Sequence, residues 1–197
     1  LCGRNTDGGS PGKRIRRRYH GRKRQNDGAY RRTAGVVENR LCTGKPEFLE
    51  TDVTEIIKSV ANSFAPVFEN SHKTLKTELS CEAVVLCDEK QIRKAVSNLI
   101  SNAFKYCKTT VAVACKNEND KTIIAISDDG DGIDKDDLLH VFERFYTGKK
   151  GNTGIGLALT KEIIKMHGGE IRARNENGAV VEITLGNVNG KKNREHL

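Results

Sequence analysis

Amides, carboxylates and glycines that could contact a charged ligand concentrate in four short segments of this chain. Each segment by itself is common in unrelated proteins, but their order and spacing together indicate a nucleotide pocket. In such a pocket a carboxylate accepts a hydrogen bond from a base, and a helix start faces phosphate. The segments are Asn98-Leu99-Ile100-Ser101-Asn102-Ala103, Asp128-Asp129-Gly130-Asp131-Gly132-Ile133, Phe142-Glu143-Arg144-Phe145-Tyr146 and Gly151-Asn152-Thr153-Gly154-Ile155-Gly156-Leu157.

The first segment lies on the helix with the strongest amphipathic pattern, predicted from Asp88 to about Tyr106. Asn98 and Asn102 are four residues apart, so both project from one face, with Lys105 one further turn along. That face borders the apolar stripe and is expected to be only partly exposed. Because asparagine is a poor helix former, the pair is either two tolerated surface amides or a ligand-binding face. The stripe consists of Ile92, Ala95, Val96, Leu99, Ile100, Ala103 and Phe104.

The second segment places a carboxylate at the end of a strand, directly before two glycines. Asp128 can accept a hydrogen bond from an adenine amino group, and Gly130 and Gly132 let the backbone approach the base closely. An acidic, glycine-rich turn is also typical of Ca²⁺ loops. That alternative is excluded because positions six and twelve, counted from Asp128, are Ile133 and Leu139 instead of glycine and glutamate.

The fourth segment predicts a glycine turn that opens a helix. The free N–H groups at a helix start and the positive end of its dipole suit phosphate. Ahead of it, residues 147–153 combine lysines and glycines without an apolar anchor, so we expect a loop that becomes ordered over bound ATP. Neither the Walker spacing nor a G-x-G-x-x-G after a first strand is present.

In the third segment, Phe142, Phe145 and Tyr146 are most simply core or hinge aromatics.

From about Arg40 to about Leu185, this order of motifs closely resembles the ATP-binding catalytic domain of sensor histidine kinases. The resemblance implies that the Asn102 carbonyl ligates Mg²⁺, that Lys105 meets phosphate charge and that Tyr106 lines the sugar side of the nucleotide. It also implies that the segment from Phe142 to Tyr146 packs beside the loop that closes over ATP. The residues implied to bind ATP are Asn98, Asn102, Lys105, Tyr106, Asp128, Gly130, Gly132, Ile133, Thr153, Gly154, Ile155, Gly156 and Leu157.

The residue four positions before Asn102 separates two classes of ATP-using protein. Related ATPases of the gyrase, mismatch-repair and heat-shock chaperone types carry a water-activating glutamate there, and this chain has Asn98. The pocket is therefore predicted to hold ATP for transfer, with no catalytic base of its own. Two alternatives stay open: a non-catalytic ATP-binding interaction module, and a relative of anti-sigma-factor or protein-serine kinases.

The phosphate acceptor that the resemblance implies is a histidine on an upstream dimerisation hairpin, which then passes phosphate to a response regulator. Its Ser-His-Glu-Leu-Arg-Thr-Pro type of motif is absent from this sequence, and all five histidines lie in other contexts. Residues 39–45 resemble the end of that hairpin. One hypothesis is that residues before about 40 are translated out of the original frame, and the alternative is a truncated chain.

The basic character of the chain is confined to its first forty residues. The net charge is +8, but residues 1–40 hold twelve basic and three acidic groups, which leaves 22 basic and 23 acidic groups elsewhere (34 less 12, and 26 less 3). We therefore expect no nucleic-acid partner for the folded domain. The six scattered cysteines predict small buried thiols in a reducing compartment, with a structural disulfide or a zinc site as the alternative for any one pair. The lack of a long apolar run predicts no membrane span and a cytoplasmic location, and the resemblance implies a membrane-anchored parent.

These patterns predict three regions: a disordered basic leader over 1–40, an ATP-binding catalytic domain over 41–186 and a polar tail over 187–197. A basic arm that contacts nucleic acid or anionic lipid is the alternative for the leader. The fold class is α+β, a two-layer sandwich with a mixed, mostly antiparallel sheet packed on about three helices. The predicted helices are 53–70, 88–106, a short one from Asp136 and 154–167, and the predicted strands are 74–79, 84–87, 110–116, 122–128, 170–175 and 179–185. Thr51 or Asp52 is expected to cap the first helix, and Pro66 to kink it or end its regular part. Its inner side is expected to carry Ile56, Ile57, Val60, Phe64 and Val67, and hairpin turns are expected at 117–120 and 176–178.

Overall fold

The computed structural model describes residues 45–146 and 155–188. The predicted leader, the predicted closing loop with Thr153 and Gly154, and most of the predicted tail lie outside these residues. Asn187, the first residue of that tail, is only 5 % exposed. Its backbone N–H donates to the Asp120 carbonyl at 2.9 Å, so ordered structure extends one residue past the predicted boundary.

Eleven elements form the described part of the chain. Four are helices and seven are strands. In chain order they are β1 (Leu49–Asp52), α1 (Val53–Asn70), β2 (Thr74–Leu79), β3 (Val84–Cys87), α2 (Glu89–Tyr106), β4 (Thr110–Glu118), β5 (Lys121–Asp128), α3 (Lys135–Leu138), α4 (Gly156–Met166), β6 (Glu170–Asn175) and β7 (Ala179–Gly186).

The main sheet has five strands in the order β2-β4-β5-β7-β6. Strands β2 and β4 are parallel, and the other three pairings are antiparallel. Strands β1 and β3 form a separate antiparallel pair. Apolar side chains from α1, α2 and α4 pack on one face of the main sheet in a single core. The predicted mixed, mostly antiparallel two-layer sandwich is thereby confirmed.

The inner face of α1 differs from the prediction at its C-terminal end. We expected Val67 to point inward, but it is 44 % exposed and Phe68 is 2 % exposed. The stripe that begins at Ile57 continues through Ala61 to Phe68, as a period of 3.6 residues requires. Pro66 does not end the helix, which continues to Asn70. At an exposed position its missing N–H costs one hydrogen bond without stopping the last turn.

Aspartates begin the two long helices. Asp52, one of two predicted caps for α1, accepts a hydrogen bond from the Thr54 N–H at 2.9 Å and a second from the Ala83 N–H at 3.1 Å. Asp88 caps α2 by accepting from the Gln91 N–H at 3.1 Å, and it also accepts from the Glu47 N–H at 2.9 Å. Each cap therefore also ties its helix to a distant part of the chain.

Several boundaries move by one or two residues. Strands β4 and β5 extend to a two-residue turn at Asn119 and Asp120, where we predicted four turn residues from Asn117. Both turn residues have positive φ, 48° and 62°, as a tight hairpin turn requires. Helix α3 begins at Lys135, one residue before the predicted Asp136. Helix α4 begins at Gly156, two residues after the predicted Gly154. Strand β1 was not predicted, because four residues give too little alternation to recognise.

Among the described residues, no helix combines the length and apolar character needed to cross a lipid bilayer.

Candidate functional site

Helix α2 carries the two asparagines on its half-exposed face, as the spacing predicts. The Asn98 Nδ2 donates to the Gly156 carbonyl at 3.5 Å, which joins α2 to the start of α4. No side chain or backbone group among the described residues hydrogen-bonds the Asn102 amide. Its oxygen is therefore available to a ligand, and an amide oxygen is a suitable donor for Mg²⁺.

Asp128 ends β5 with its two carboxylate oxygens in different states. Its Oδ1 accepts from the Gly130 N–H at 2.9 Å and from the Ala179 N–H at 3.4 Å. Its Oδ2 has no partner among the described residues. Burial raises the pKa of this carboxyl, the two backbone N–H groups oppose that change, and the charge of Asp129 adds to it. One oxygen is thus held by the backbone, and the other can accept a hydrogen bond from a ligand.

Glycines are required around Asp128 because the backbone is closely packed there. A Cβ on Gly130 would lie 2.3 Å from the Tyr106 carbonyl oxygen, which places the turn directly against the last turn of α2. A Cβ on Gly178 would lie 2.0 Å from the Asp128 carbonyl oxygen. Gly132 has a φ of 79°, a conformation that side chains other than glycine rarely adopt. The glycines act here by letting the backbone segments touch.

Asp129, which the sequence analysis did not single out, holds the loop after α2. Its carboxylate accepts from the Lys108 N–H at 2.8 Å, from the Thr109 N–H at 3.0 Å and from the Thr109 hydroxyl at 2.5 Å. Desolvation opposes ionisation, but these donors outweigh it and hold the pKa of Asp129 well below its usual range. Asp129 is thus ionised at neutral pH and fixes the α2–β4 loop to the turn.

Asn175, at the end of β6, holds the other side of the same turn. Its Oδ1 accepts from the Ile133 N–H at 2.9 Å, and its Nδ2 donates to the Ile133 carbonyl at 2.7 Å. The side-chain amide thereby pairs with Ile133 as a neighbouring strand would. Sequence reasoning missed Asn175 because nothing in its local pattern relates it to a residue 42 positions away.

Lys105 and Tyr106 lie together at the C-terminal end of α2. The Lys105 Nζ donates to the Tyr106 hydroxyl at 3.1 Å and lies 4.7 Å from the centre of its ring. Both side chains are exposed. The expected contact of Lys105 with phosphate is therefore not preformed, and the ammonium group contacts the aromatic ring instead.

No described residue caps the backbone donors at the start of α4. Ile155 occupies the N-cap position and its side chain makes no capping hydrogen bond. The first N–H groups of a helix have no carbonyl partner inside it, so those that follow Ile155 are available to an anion. The buried Thr160 hydroxyl donates to the Gly156 carbonyl at 2.9 Å, and Leu157 packs against the core. Thr153 and Gly154, also predicted here, lie outside the described residues.

The aromatic segment after α3 divides into packed and exposed side chains. Phe142 packs against the core, whereas Phe145 is 76 % exposed and has a φ of 65°. The Tyr146 hydroxyl donates to the Asp137 carboxylate. This hydrogen bond raises the pKa of Tyr146 to about 12. Of the three aromatics, only Phe142 belongs to the core region, which leaves Phe145 in a strained and exposed position.

The predicted site residues therefore form two groups along one helix. Asn98 and Gly156 meet near the middle of α2, and Tyr106, Asp128 and Gly130 meet at its C-terminal end. Eight residues of α-helix separate Asn98 from Tyr106, a length of about 12 Å.

Residues 87–188 match the family described as histidine kinase-, DNA gyrase B- and HSP90-like ATPases. The chain belongs to this family. The match begins just before the cap of α2 and includes every predicted ATP-binding residue of this ATPase domain.

Relatives of the domain are named as sensor proteins and histidine kinases. It is 38 % identical over 138 residues to the sensor protein RprX of Bacteroides fragilis, covering 64 % of this chain and 27 % of RprX. It is 33 % identical over 148 residues to the sensor-like histidine kinase SenX3 of Mycolicibacterium smegmatis, covering 71 % of this chain and 38 % of SenX3. The chain thus spans well under half the length of these relatives.

Solved structures agree with the sequence relatives. The catalytic domain of the histidine kinase ThkA superposes with a TM-score of 0.67 at 26 % identity, covering 72 % of this chain and 96 % of that domain. The ATP-binding domain of PrrB from Mycobacterium tuberculosis gives a TM-score of 0.62, also at 26 % identity, covering 72 % of this chain and 98 % of that domain. The chain is an ATPase domain of the type found in sensor histidine kinases, which confirms the family predicted from the sequence.

Proposed function

We propose that this domain binds Mg-ATP and donates the γ-phosphoryl group to a histidine on a dimerisation hairpin. The observation that carries the proposal is the state of Asp128, which has one carboxylate oxygen held by backbone N–H groups and the other open. An open acceptor beside a close-packed glycine turn suits the amino group of adenine. We assign the base to this end of α2, with Gly130, Gly132 and Ile133 around it and Tyr106 on the sugar side.

The triphosphate then extends along α2 toward the start of α4. The uncapped N–H groups after Ile155 and the positive dipole end of the helix favour negative charge there. Asn98 and Asn102 line the route on the α2 side, and Lys105 would exchange its contact with the Tyr106 ring for one with phosphate. We assign Asn102 as the Mg²⁺ ligand through its amide oxygen. The bound ion would neutralise phosphate charge and hold the triphosphate in place.

Transfer is favoured over hydrolysis by the residue at position 98. Hydrolysis needs a base that takes a proton from water, and the Asn98 amide cannot accept one. The Asn98 Nδ2 also contacts the Gly156 carbonyl, so its orientation serves to join the two helices. We therefore place the nucleophile on the partner: a neutral imidazole nitrogen of the substrate histidine attacks the γ-phosphorus through its lone pair, the bond to the bridging oxygen breaks and ADP leaves. A response regulator is the acceptor that would receive the phosphoryl group from that histidine.

Incubation of the chain with Mg-ATP and a separately prepared hairpin bearing one histidine tests this proposal. The expected product is phosphate on that histidine, stable in base and lost in acid, and absent when alanine replaces the histidine. Acid-stable phosphate on serine would instead support a protein-serine kinase. ATP binding without transfer to any hairpin tested would support a non-catalytic binding module.

A further inference from the structure

Two cysteine thiols contact each other at the connection after β2, beside strand β4 and the N-terminal end of α1. Cys115, in β4, is 1 % exposed, and Cys81, in the β2–β3 connection, is half-buried. The Cys81 Sγ lies 3.6 Å from the Cys115 carbonyl oxygen, to which it donates, and the two thiols also interact directly. Of the described cysteines, these two alone contact each other, since Cys87 and Cys107 have Thr51 and Lys73 as their polar neighbours.

The backbone holds both cysteines in place. Leu79 pairs with Cys115 in the parallel register of β2 and β4, and the Ser80 N–H donates to the Cys115 carbonyl at 3.3 Å. On the other side, the Thr54 hydroxyl donates to the Cys81 carbonyl at 2.8 Å. The connection therefore cannot swing Cys81 away without breaking hydrogen bonds to α1 and β4. The contact between the thiols is a fixed feature of the fold.

We propose that Cys81 and Cys115 form a reversible dithiol–disulfide pair that a low-molecular-weight disulfide, such as oxidised glutathione, oxidises. The half-buried Cys81 thiolate attacks one sulfur of the oxidant and expels one thiolate, leaving a mixed disulfide on Cys81. The Cys115 thiolate then attacks the Cys81 sulfur and expels the second. Two protein thiols are oxidised, one small disulfide is reduced to two thiols, and the protons lost from the cysteines are taken up by the leaving thiolates.

The second of these steps is the slower one. Burial and, to a smaller extent, the neighbouring Cys81 raise the pKa of Cys115 to about 12. Because the thiolate is the nucleophile, little reactive Cys115 is present at neutral pH. Closure of the disulfide should therefore be slow and should accelerate as the pH is raised. This behaviour distinguishes a buried resolving cysteine from one that is exposed to solvent.

The crosslink would join residues 34 positions apart, a segment that includes β3 and the whole of α2. Closing a loop of this length restricts the unfolded chain more than the folded one. Oxidation is therefore expected to raise the thermal midpoint, and reduction to restore it. The proposal depends on the fold alone and does not require that the domain transfers phosphate.

Peptide mapping by mass spectrometry after incubation of the full chain in glutathione buffers of increasing oxidising strength tests the pair. The expected product is a Cys81–Cys115 linked peptide, lighter by two hydrogen atoms and reversed by dithiothreitol. Mapping separates this link from any that involves Cys2 or Cys42. Persistent glutathione on Cys81, a link between other cysteines, or two unmodified thiols at the most oxidising ratio would each overturn the proposal.

Single substitutions assign the order of the steps. With Cys115→Ala, Cys81 should retain glutathione, because no thiol displaces it. With Cys81→Ala, the buried Cys115 should stay unmodified. Cys107→Ala, which removes another buried thiol, is the matched control and should leave the linked peptide unchanged. If Cys115 in the Cys81→Ala protein reacts with oxidised glutathione as fast as Cys115 reacts in the unchanged chain, the assigned order is wrong.

Discussion

The two ends of the candidate nucleotide site are built differently. Around Asp128, backbone donors hold one carboxylate oxygen, Asp129 ties in the loop after α2, and Gly130 leaves no space for a side chain. At the start of α4, the contact between Asn98 and Gly156 is a single long hydrogen bond of 3.5 Å. A Cβ added to Gly156 would meet no atom of the described residues within 4 Å.

From this difference we expect the end around Asp128 to select a ligand by its shape and the end at the start of α4 to attract its charge. The proposed base end, around Asp128, is close-packed before any ligand binds. It can therefore select a ligand by its shape and by one hydrogen bond. The proposed phosphate end offers helix N–H groups and the Asn102 amide, none of which has a partner among the described residues, and these groups attract charge without a fixed outline. Perturbing the first end should therefore affect folding and base preference, and perturbing the second should affect metal and phosphate binding.

The largest expected effect comes from adding one methyl group at each end. Gly130→Ala places a Cβ 2.3 Å from the Tyr106 carbonyl and should lower the free energy of unfolding by about 3 kcal/mol, because backbone must move. Gly156→Ala is the matched control and should raise that free energy by about 0.5 kcal/mol through better helix propensity. Urea titration measures both. A Gly130→Ala protein as stable as the parent would show that the two ends are equally open.

The next effect tests base recognition at Asp128. In Asp128→Asn, Oδ1 should keep its bonds to the Gly130 and Ala179 N–H groups, which turns the amide NH₂ toward the ligand. A donor then faces the amino group of adenine, so ATP affinity should fall about 10- to 100-fold. The affinity for inosine triphosphate, which has a carbonyl in place of that amino group, should fall less or rise. Equal losses for both nucleotides in calorimetric titrations would contradict the contact.

A smaller effect is expected from the phosphate end. Asn102→Ala removes the proposed metal ligand, so the ratio of ATP affinities with and without Mg²⁺ should fall about tenfold, equivalent to about 1.4 kcal/mol. Folding should be unaffected, because the Asn102 amide has no partner among the described residues. Asn62→Ala on the exposed face of α1 controls for the loss of an amide. An unchanged ratio would remove Asn102 from the metal site.

The smallest effect concerns the junction between the C-terminal end of α4 and the cap of α2. The His167 Nε2 accepts from the Asp88 N–H at 3.0 Å, and its Nδ1 bonds to the Ile163 carbonyl at 2.7 Å, which fixes the neutral ring between the C-terminus of α4 and the cap of α2. Burial lowers the pKa of His167, although the bond to Ile163 and the charge of Asp88 oppose this.

Because the unfolded chain binds this proton more tightly, stability should decrease as the pH falls below about 6.5 toward the lowered folded pKa. The loss should be about 1 kcal/mol, the value of one hydrogen bond. Urea midpoints at pH 8 and pH 5 measure it. His167→Gln should remove most of this pH dependence, and His72→Gln, at an exposed position, should not. If the urea midpoint changes equally between pH 8 and pH 5 in all three proteins, His167 is excluded as the cause.

The sequence predicted most elements because their signals are local. The stripe on α2, the helix start at Asp88 and the hairpin between β6 and β7 each follow from a short pattern, and the four motifs define the candidate site. The prediction was wrong at Val67 and at the start of α4. At both places, a shift of one or two residues along the chain leaves the sequence pattern almost equally good. Strand β1 is recognisable only through its pairing with β3.

The sequence by itself determined the family, the mixed sheet on helices and the positions of Asn98, Asn102, Asp128 and Gly156. Only the tertiary structure decided that Asp129 fixes the loop after α2, that Asn175 pairs with Ile133 and that Gly178 makes room for Asp128. It also brought Cys81 to Cys115. Periodicity reports on neighbours within a few residues, whereas these contacts join residues far apart in the chain. They depend on how the strands order themselves in the sheet, which no short pattern records.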